Sequence, residues 1–580
     1  MGFEYAFVHL AYTIPPAVVL TTFYRPLSTA IDIYKIAFLI AIAVVSTTPW
    51  DSYLISRNIW TYPPSVIIGP RLFLIPIEEL FFFGIQTYNT SLLYLLLSKP
   101  VFHPIYLRRK SGINQYKLSG QILLVSSIIL GVLMVRAGKE GTYLGLILVW
   151  AGPFALLLFC LSSQFILTLP YTSTILPIAI PTIYLWVVDT LALKRGTWAI
   201  QSGTKLGIYL WDGLEIEEAI FFLATNVLIV FGQIAFDHAL AILQTFPLIF
   251  PEVSELPSPL KLVAALLTDR ALYDEARLEG LQQAVERLRN KSRSFYIASS
   301  TFSGRLRTDL ILLYSFCRVA DDLVDNSKGS IEARQWIQKL TQYLDMAYKE
   351  GPTTKNRLGI ETYINDNFPA ASRSALYLLP TSSLPAGPLF GLLEGFVTDL
   401  EFDQNFPIGT PQDLRNYASH VAGTVAELVL NLVFFHSHAA SDEAQRKEIM
   451  NAGHQMGIAL QYVNIARDIA TDAAIGRVYL PTAWLEDKGL TPQDVLKDPR
   501  HPSIEIIRTK LLKEAFGIYE KSRGPIELLP ENLRAPIRVC VESYMEIGRV
   551  LREDGYVVKE GKATIPRFRR LKVAWKALTH

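Results

Sequence analysis

The stretch Ile75-Pro76-Ile77-Glu78-Glu79-Leu80-Phe81-Phe82-Phe83 sets two adjacent carboxyl groups at the head of an otherwise lipid-soluble run. An ionised acid at membrane depth costs about 2.5–3.5 kcal/mol even on lenient insertion scales, and such residues usually mark function. A near copy follows at Leu214-Glu215-Ile216-Glu217-Glu218-Ala219-Ile220-Phe221-Phe222. Each copy has the same frame upstream: Asp51-x5-Arg57-x2-Trp60 before the first, Asp189-x5-Arg195-x2-Trp198 before the second. Two copies of one loop-plus-helix unit, about 139 residues apart, predict a duplicated three-helix block with a seventh helix added.

Charge is distributed very unevenly around these motifs. Residues 1–250 hold 26 of the 108 charged side chains and residues 251–580 the other 82. The first part is therefore expected to sit in a membrane, and the second has the charge content of a soluble domain. Apolar runs of spanning length fall near 3–22, 33–49, 70–98, 119–137, 143–167, 171–193 and 213–245. Pro15-Pro16, Pro177 and Pro181 are expected to kink their helices. The opening MGFEYAFVHL has no basic segment or small-residue cleavage site, so it reads as a first membrane helix and not a signal peptide. Lys and Arg are balanced between the two sides and leave the orientation open. A net charge of +2 gives no sign of a nucleic-acid partner, and three scattered cysteines form neither a disulfide framework nor a zinc motif.

Seven helices suggest a retinal protein, but 213–245 has no lysine for a Schiff base. A helix-capping role in water is the plain alternative for Glu78, Glu79, Glu217 and Glu218. Their Ile, Leu and Phe neighbours favour burial instead, where one acid of each pair stays protonated and can donate to an apolar substrate. Nearby aromatic faces would steady the resulting cation. On these residues, roughly 1–245 resembles the membrane lycopene cyclases of fungi and the related archaeal and bacterial heterodimeric types, whose mark is a repeated Pro-x-Glu-Glu. Pro76-Ile77-Glu78-Glu79 matches it fully. Glu215 replaces the proline in the second copy, which puts the local backbone there in question.

A proline-rich spacer, 246–262, leads to amphipathic helices with few strand signals over 263–580. Two acidic clusters stand out there. Asp321-Asp322-x2-Asp325 follows Arg318, and Asn464, Asp468 and Asp472 form an i, i+4, i+8 stripe beside Arg467. Two facing oxygen-bearing stripes would suit Mg²⁺ (or Mn²⁺) shared with diphosphate oxygens, and the arginines suit the diphosphate itself. With Arg477 in the following GRVYLP, these clusters closely resemble the squalene/phytoene synthase family over about 285–570. The resemblance implies diphosphate contacts in KSRSFYIAS (Ser292, Arg293, Phe295) and a prenyl channel beside Tyr417 in YASHVAGTVAEL. Thr471 stands where that family usually has a glutamate.

The predicted architecture is thus all-α: a seven-helix transmembrane bundle with an internal repeat, followed by a soluble class I prenyl synthase domain. The whole resembles the fungal bifunctional enzymes that join the two families. The resemblance implies condensation of two geranylgeranyl diphosphates to phytoene, and cyclisation of lycopene or a related acyclic carotene. A separate phytoene desaturase would connect the two steps. The synthase side would lie in the cytosol, with the bundle in an endomembrane among lipid. No GxGxxG fingerprint occurs, and neither flavin nor NAD(P)H is expected. Squalene synthase fused to a non-catalytic anchor or a proton-linked transporter is the rival from another class. The basic tail, 561–580, reads as a membrane-surface segment.

Overall fold

A computed structural model describes residues 2–110, 112–200, 203–349, 354–402, 405–437, 442–553 and 565–579. The chain forms two compact units, Met1–Leu278 and Glu279–His580. Residues 259–278, expected to fall partly in a linker and partly in the second domain, belong to the first unit. Leu262, Ala265, Tyr273 and Leu278 are buried there with Phe246 and Leu243.

Among the described residues of the first unit, seven helices are long and apolar enough to cross a membrane: α1 (Glu4–Leu27), α2 (Ala30–Ser56), α3 (Ile77–Ser98), α4 (Ile113–Ala137), α5 (Thr142–Thr168), α6 (Tyr171–Lys194) and α7 (Ile216–Thr245). A π-turn over His9–Thr13 interrupts α1 just before Pro15-Pro16. By contrast α6 runs unbroken from Tyr171 to Lys194 through both of its prolines. A backbone break falls instead at Ser162 in α5 (φ −131°, ψ 20°). The helix α7 is the most enclosed of the seven, whereas α4 turns Leu123, Ile129 and Leu133 outward. An apolar outer face is what hydrocarbon requires. Among the described residues an eighth helical stretch, Pro411–Ser437, also meets the length and hydropathy for spanning. It belongs to the second unit, and its Leu414, Leu428, Leu432 and Val433 are buried in that core.

The duplication is visible in three dimensions. Short strands β1 (Trp60–Thr61), β2 (Arg71–Leu72), β3 (Ile75–Pro76), β4 (Ala199–Ile200), β5 (Tyr209–Trp211) and β6 (Leu214–Glu215) occupy the loops. Each copy makes a small hairpin immediately before its acid pair, β2 with β3 and β5 with β6. The two copies pair with each other through antiparallel β1 and β4, with Trp60 opposite Ile200. Gln86 on α3 donates to Thr225, its repeat counterpart on α7, at 2.8 Å.

The second unit is a helical assembly around one large core. The 32-residue helix Glu443–Ala474 carries the second acidic stripe through it. It packs closely against the π-turn Ser419–Gly423, where a Cβ at Gly457 would lie 2.4 Å from the Ala422 carbonyl oxygen. Backbone cannot yield there as a side chain would, so glycine sets the distance between the two helices. Gly457→Val should destabilise this unit by about 1–3 kcal/mol, read as a lowered thermal midpoint of the full-length protein.

Candidate active sites

The first acid pair opens α3 and the second opens α7, each in the first helical turn, where the helix dipole favours negative charge. Glu215 holds almost the backbone of Pro76 despite the substitution: φ −75°, ψ 146° against φ −57°, ψ 146°. Equivalent backbone bonds fix both, Ile77 N–H to the Pro70 carbonyl and Ile216 N–H to the Ile208 carbonyl. The Glu215 carboxylate is itself paired with Lys205.

All four motif glutamates are buried, which removes the water-exposed capping role. Within each pair the two acids are treated differently. Glu78 accepts the Ile68 backbone N–H at 2.6 Å, and Glu217 accepts that of Leu206 at 2.7 Å. These are repeat-equivalent clasps that tie the preceding loop to the helix. Glu79 instead accepts the hydroxyls of Tyr5 and, at 2.7 Å, Tyr62. Glu218 accepts the Tyr143 hydroxyl at 2.8 Å. Phe82, Phe221 and Phe222 pack around them, with Phe82 edge-on to Phe222 at 6.0 Å. Tyr5 and Tyr143 lie 74 and 75 residues from their acids, beyond any local signal, whereas Tyr62 is 17 residues from Glu79, just after Trp60 of the repeated frame.

In the second unit Asp321, Asp322 and Asp325 lie at the end of the helix Gly304–Asp325. Arg318 donates to Asp321 at 2.7 Å and also to Asp322, and Lys291 is 3.5 Å from Asp322. On the facing helix Arg467 binds Asp468 and Asn464. Tyr544 donates to Asn464 at 3.0 Å and stacks on Phe295 at 5.5 Å, joining the KSRSFYIAS segment to this cluster. The Ser292 hydroxyl caps the helix Arg293–Ser299, while Arg293 is exposed. Beyond Ala474 the left-handed Gly476 (φ 82°) turns the chain back. Arg477 is thereby set against Asp325 at 2.8 Å, in electrostatic contact with Asp472 and Asp399. The two clusters therefore face one space.

Asp399, on the helix Ala386–Glu401, was not foreseen because no motif surrounds it. It accepts the hydroxyl of Tyr479 at 2.7 Å and that of Tyr417, whose ring stacks on Tyr479 at 4.9 Å. Burial pushes the Asp399 carboxyl up to about 6. Burial and the charge of Asp325 raise Asp321 to about 7, while burial and Asp468 raise Asp472 to about 8. Among the described residues no three acidic, histidine or cysteine side chains already converge as a metal cage. The donor set is still one of hard oxygens with excess negative charge, which a divalent cation sharing its sphere with water and phosphate would relieve. The tail helix Arg567–Thr579 lies on this unit, burying Ala574 and Ala577 against Val539 and Ala298. Tail residues 561–564 and 580 lie outside the described residues.

Residues 288–569 match the squalene/phytoene synthase family. A bifunctional lycopene cyclase/phytoene synthase of Leptosphaeria maculans is 58% identical, with 100% of both chains covered. That of Neurospora crassa is 48% identical, covering 99% of each. A solved dehydrosqualene synthase in complex with ligand is 22% identical, with a TM-score of 0.41 over 52% of this chain and 95% of its own. By the family match over residues 288–569, the second unit is of the squalene/phytoene synthase class. The chain as a whole belongs to the bifunctional lycopene cyclase/phytoene synthase family.

Proposed function

We propose that the second unit condenses two geranylgeranyl diphosphates head to head into phytoene, and that the first cyclises the ψ-ends of lycopene or a related acyclic carotene. Full-length identity to enzymes of that name carries the reading, and the two sites give it a chemistry.

In the synthase unit, Asp321, Asp322 and Asp325 on one side and Asn464, Asp468 and Asp472 on the other would hold Mg²⁺ (or Mn²⁺). When bound, the metal neutralises the diphosphate leaving group. Arg318, Arg467 and Arg477 would supply planar donors for diphosphate oxygens, with Ser292 and Arg293 as further contacts from the segment that Phe295 joins to the cluster. The Tyr417 and Phe295 rings stabilise allylic and cyclopropyl cations, and the apolar core keeps water from them. Asp399 positions Tyr417 and Tyr479.

In the bundle the structure favours a division of labour within each acid pair. Glu78 and Glu217 hold their loops as backbone acceptors. Glu79 and Glu218, held by tyrosine hydroxyls among aromatic rings, are the members of each pair left to carry a proton, and Glu79 lines the cavity where the polyene would lie. Ring closure adds one proton and removes one and so consumes no electrons; with buried carboxyls to move the protons, it is expected to proceed without flavin or NAD(P)H. The bundle spans an endomembrane, with the synthase unit on the cytosolic side where diphosphates and magnesium are available. A separate desaturase converts phytoene to lycopene between the two steps.

Two outcomes are expected. Chelating divalent metal, or Asp321→Ala or Asp468→Ala, abolishes phytoene formation by the full-length protein and leaves cyclisation of supplied lycopene intact. Product analysis with each substrate separately checks this, and loss of both activities would sink the division. Glu79→Gln or Glu218→Gln lowers cyclisation by about 100-fold or more in properly inserted protein, with phytoene formation maintained. Glu78→Gln and Glu217→Gln, which keep an acceptor oxygen for the loop N–H, retain most of it. The reverse ranking in a lycopene turnover assay would overturn the assignment within the pairs.

A further inference from the structure

A cavity in the bundle runs between the two repeats, among Tyr5, Trp60, Trp198, Phe221 and Phe222. Two of its lining residues carry carboxyl groups, Glu79 and Asp189. They come from different copies and from different places in the repeat: Glu79 from the acid pair, Asp189 from the Asp-x5-Arg-x2-Trp frame. Neither Glu78, Glu217 nor Glu218 lines this space. Asp189 is 1% exposed. Its Oδ1 accepts the Trp198 indole N–H at 3.2 Å, while Oδ2 is buried with no partner. A buried polar atom left unpaired in this way requires a reason. His9 also lines the cavity, but its Nε2 donates to the Glu78 carbonyl at 3.0 Å and its Nδ1 lies 3.2 Å from the Thr13 hydroxyl.

We infer that Asp189 is a further acid–base residue for ring closure, sharing the substrate cavity with Glu79. The inference rests on the cyclase reading of the bundle and adds a residue outside the acid pairs. The Glu79 O–H bond breaks as a C–H bond forms on the terminal double bond of the polyene, leaving a tertiary cation. The π electrons of an inner double bond close the ring onto that carbon. The ring cation then loses a proton to the free Asp189 oxygen, restoring a double bond. One proton enters and one leaves, with no oxidant or reductant. Glu79 ends ionised and Asp189 protonated, and return of that proton to Glu79 within the cavity that both line resets the pair before the next ring. Aromatic faces around the cavity steady the cation between the two steps.

The repeat supplies an internal control. Asp51, the counterpart of Asp189, is also buried with a partnerless Oδ2, yet it does not line the cavity. The experiment uses full-length protein in lipid with supplied lycopene, measuring kcat, KM and phytoene formation for wild type, Asp189→Asn, Asp189→Glu, Asp51→Asn and Glu79→Gln. Asp189→Asn should lower kcat by about 100-fold or more with KM little changed and phytoene formation intact. Asp189→Glu, which keeps a carboxyl in the cavity, should recover part of the loss, and Asp51→Asn should cost far less. Wild-type kcat in Asp189→Asn overturns the inference, as does a rise in KM alone. If Asp189→Asn fails to accumulate, Asp189→Glu decides: turnover sustains the assignment, and its absence in folded protein ends it. Loss in Glu79→Gln but not in Asp189→Asn removes this inference only. A wild-type chain that leaves lycopene unchanged removes the cyclase reading itself.

Discussion

A carboxyl group in an apolar interior must be given donors, paired with a cation, or left neutral, because solvent is not there to satisfy it. Most of what is specific about this chain follows from how each buried acid meets that constraint. Glu78 and Glu217 take loop N–H groups, and Glu79 and Glu218 take phenols. Asp237, deep on α7, takes Lys35 at 2.6 Å and Tyr94 at 2.7 Å. Truncating one partner of such a pair would leave the other buried and uncompensated. These contacts therefore fix helix positions as well as chemistry: Lys35 and Tyr94 hold α2 and α3 to α7, and Tyr143 holds α5 to it.

Duplication supplies the scaffold, and the departures from symmetry supply the site. The paired β1 and β4, the twin hairpins and the Gln86–Thr225 bond all relate equivalent positions. Glu79, however, receives a second phenol from Tyr5 on α1, a helix that precedes the repeated frame. Glu218 has Tyr143 in that place, and Glu215 with Lys205 stands in for Pro76. Equal backbones thus carry unequal acids. A reaction that needs one donor and one acceptor has a use for that inequality, which a strictly symmetric pair would not provide.

The acid motifs, both arginine-flanked clusters and the two-part organisation were legible because they are local: spacing on one helix, or one apolar run, carries them. The duplication was legible because Asp, Arg, Trp and Glu-Glu recur in order. The partners of the acids were not. Tyr5 reaches Glu79 across 74 residues, and Tyr479 reaches Asp399 across 80, so only the fold brings them together. Pro411–Ser437 has the length and hydropathy of a span, yet its apolar residues are buried in the second unit's core. Hydropathy measures transfer from water and does not distinguish a lipid interior from a protein one. Burial of 259–278 on the first unit was hidden likewise, since the prolines before it mark a turn in the chain without telling which core the next helix joins.

The two active sites solve one problem with opposite electrostatics. Both reactions pass through carbocations on apolar chains, so both need enclosed pockets with aromatic walls. In the synthase the cation is born when an anion departs, and the surrounding groups must therefore bind that anion strongly. Arg318, Arg467 and Arg477, set among six oxygen-bearing side chains, are the groups proposed for that task. In the bundle the cation is born when a proton arrives, and no anion of comparable size has to be held. Strong cations there would draw the proton away from its donor by stabilising the carboxylate. Among the described residues, no lysine or arginine lines the cavity that Glu79 and Asp189 share; phenol, indole, phenyl and aliphatic groups surround them, with His9 and Thr13. Such donors hold a carboxyl in place without fixing its charge, which is the condition for a proton to be given up to a hydrocarbon.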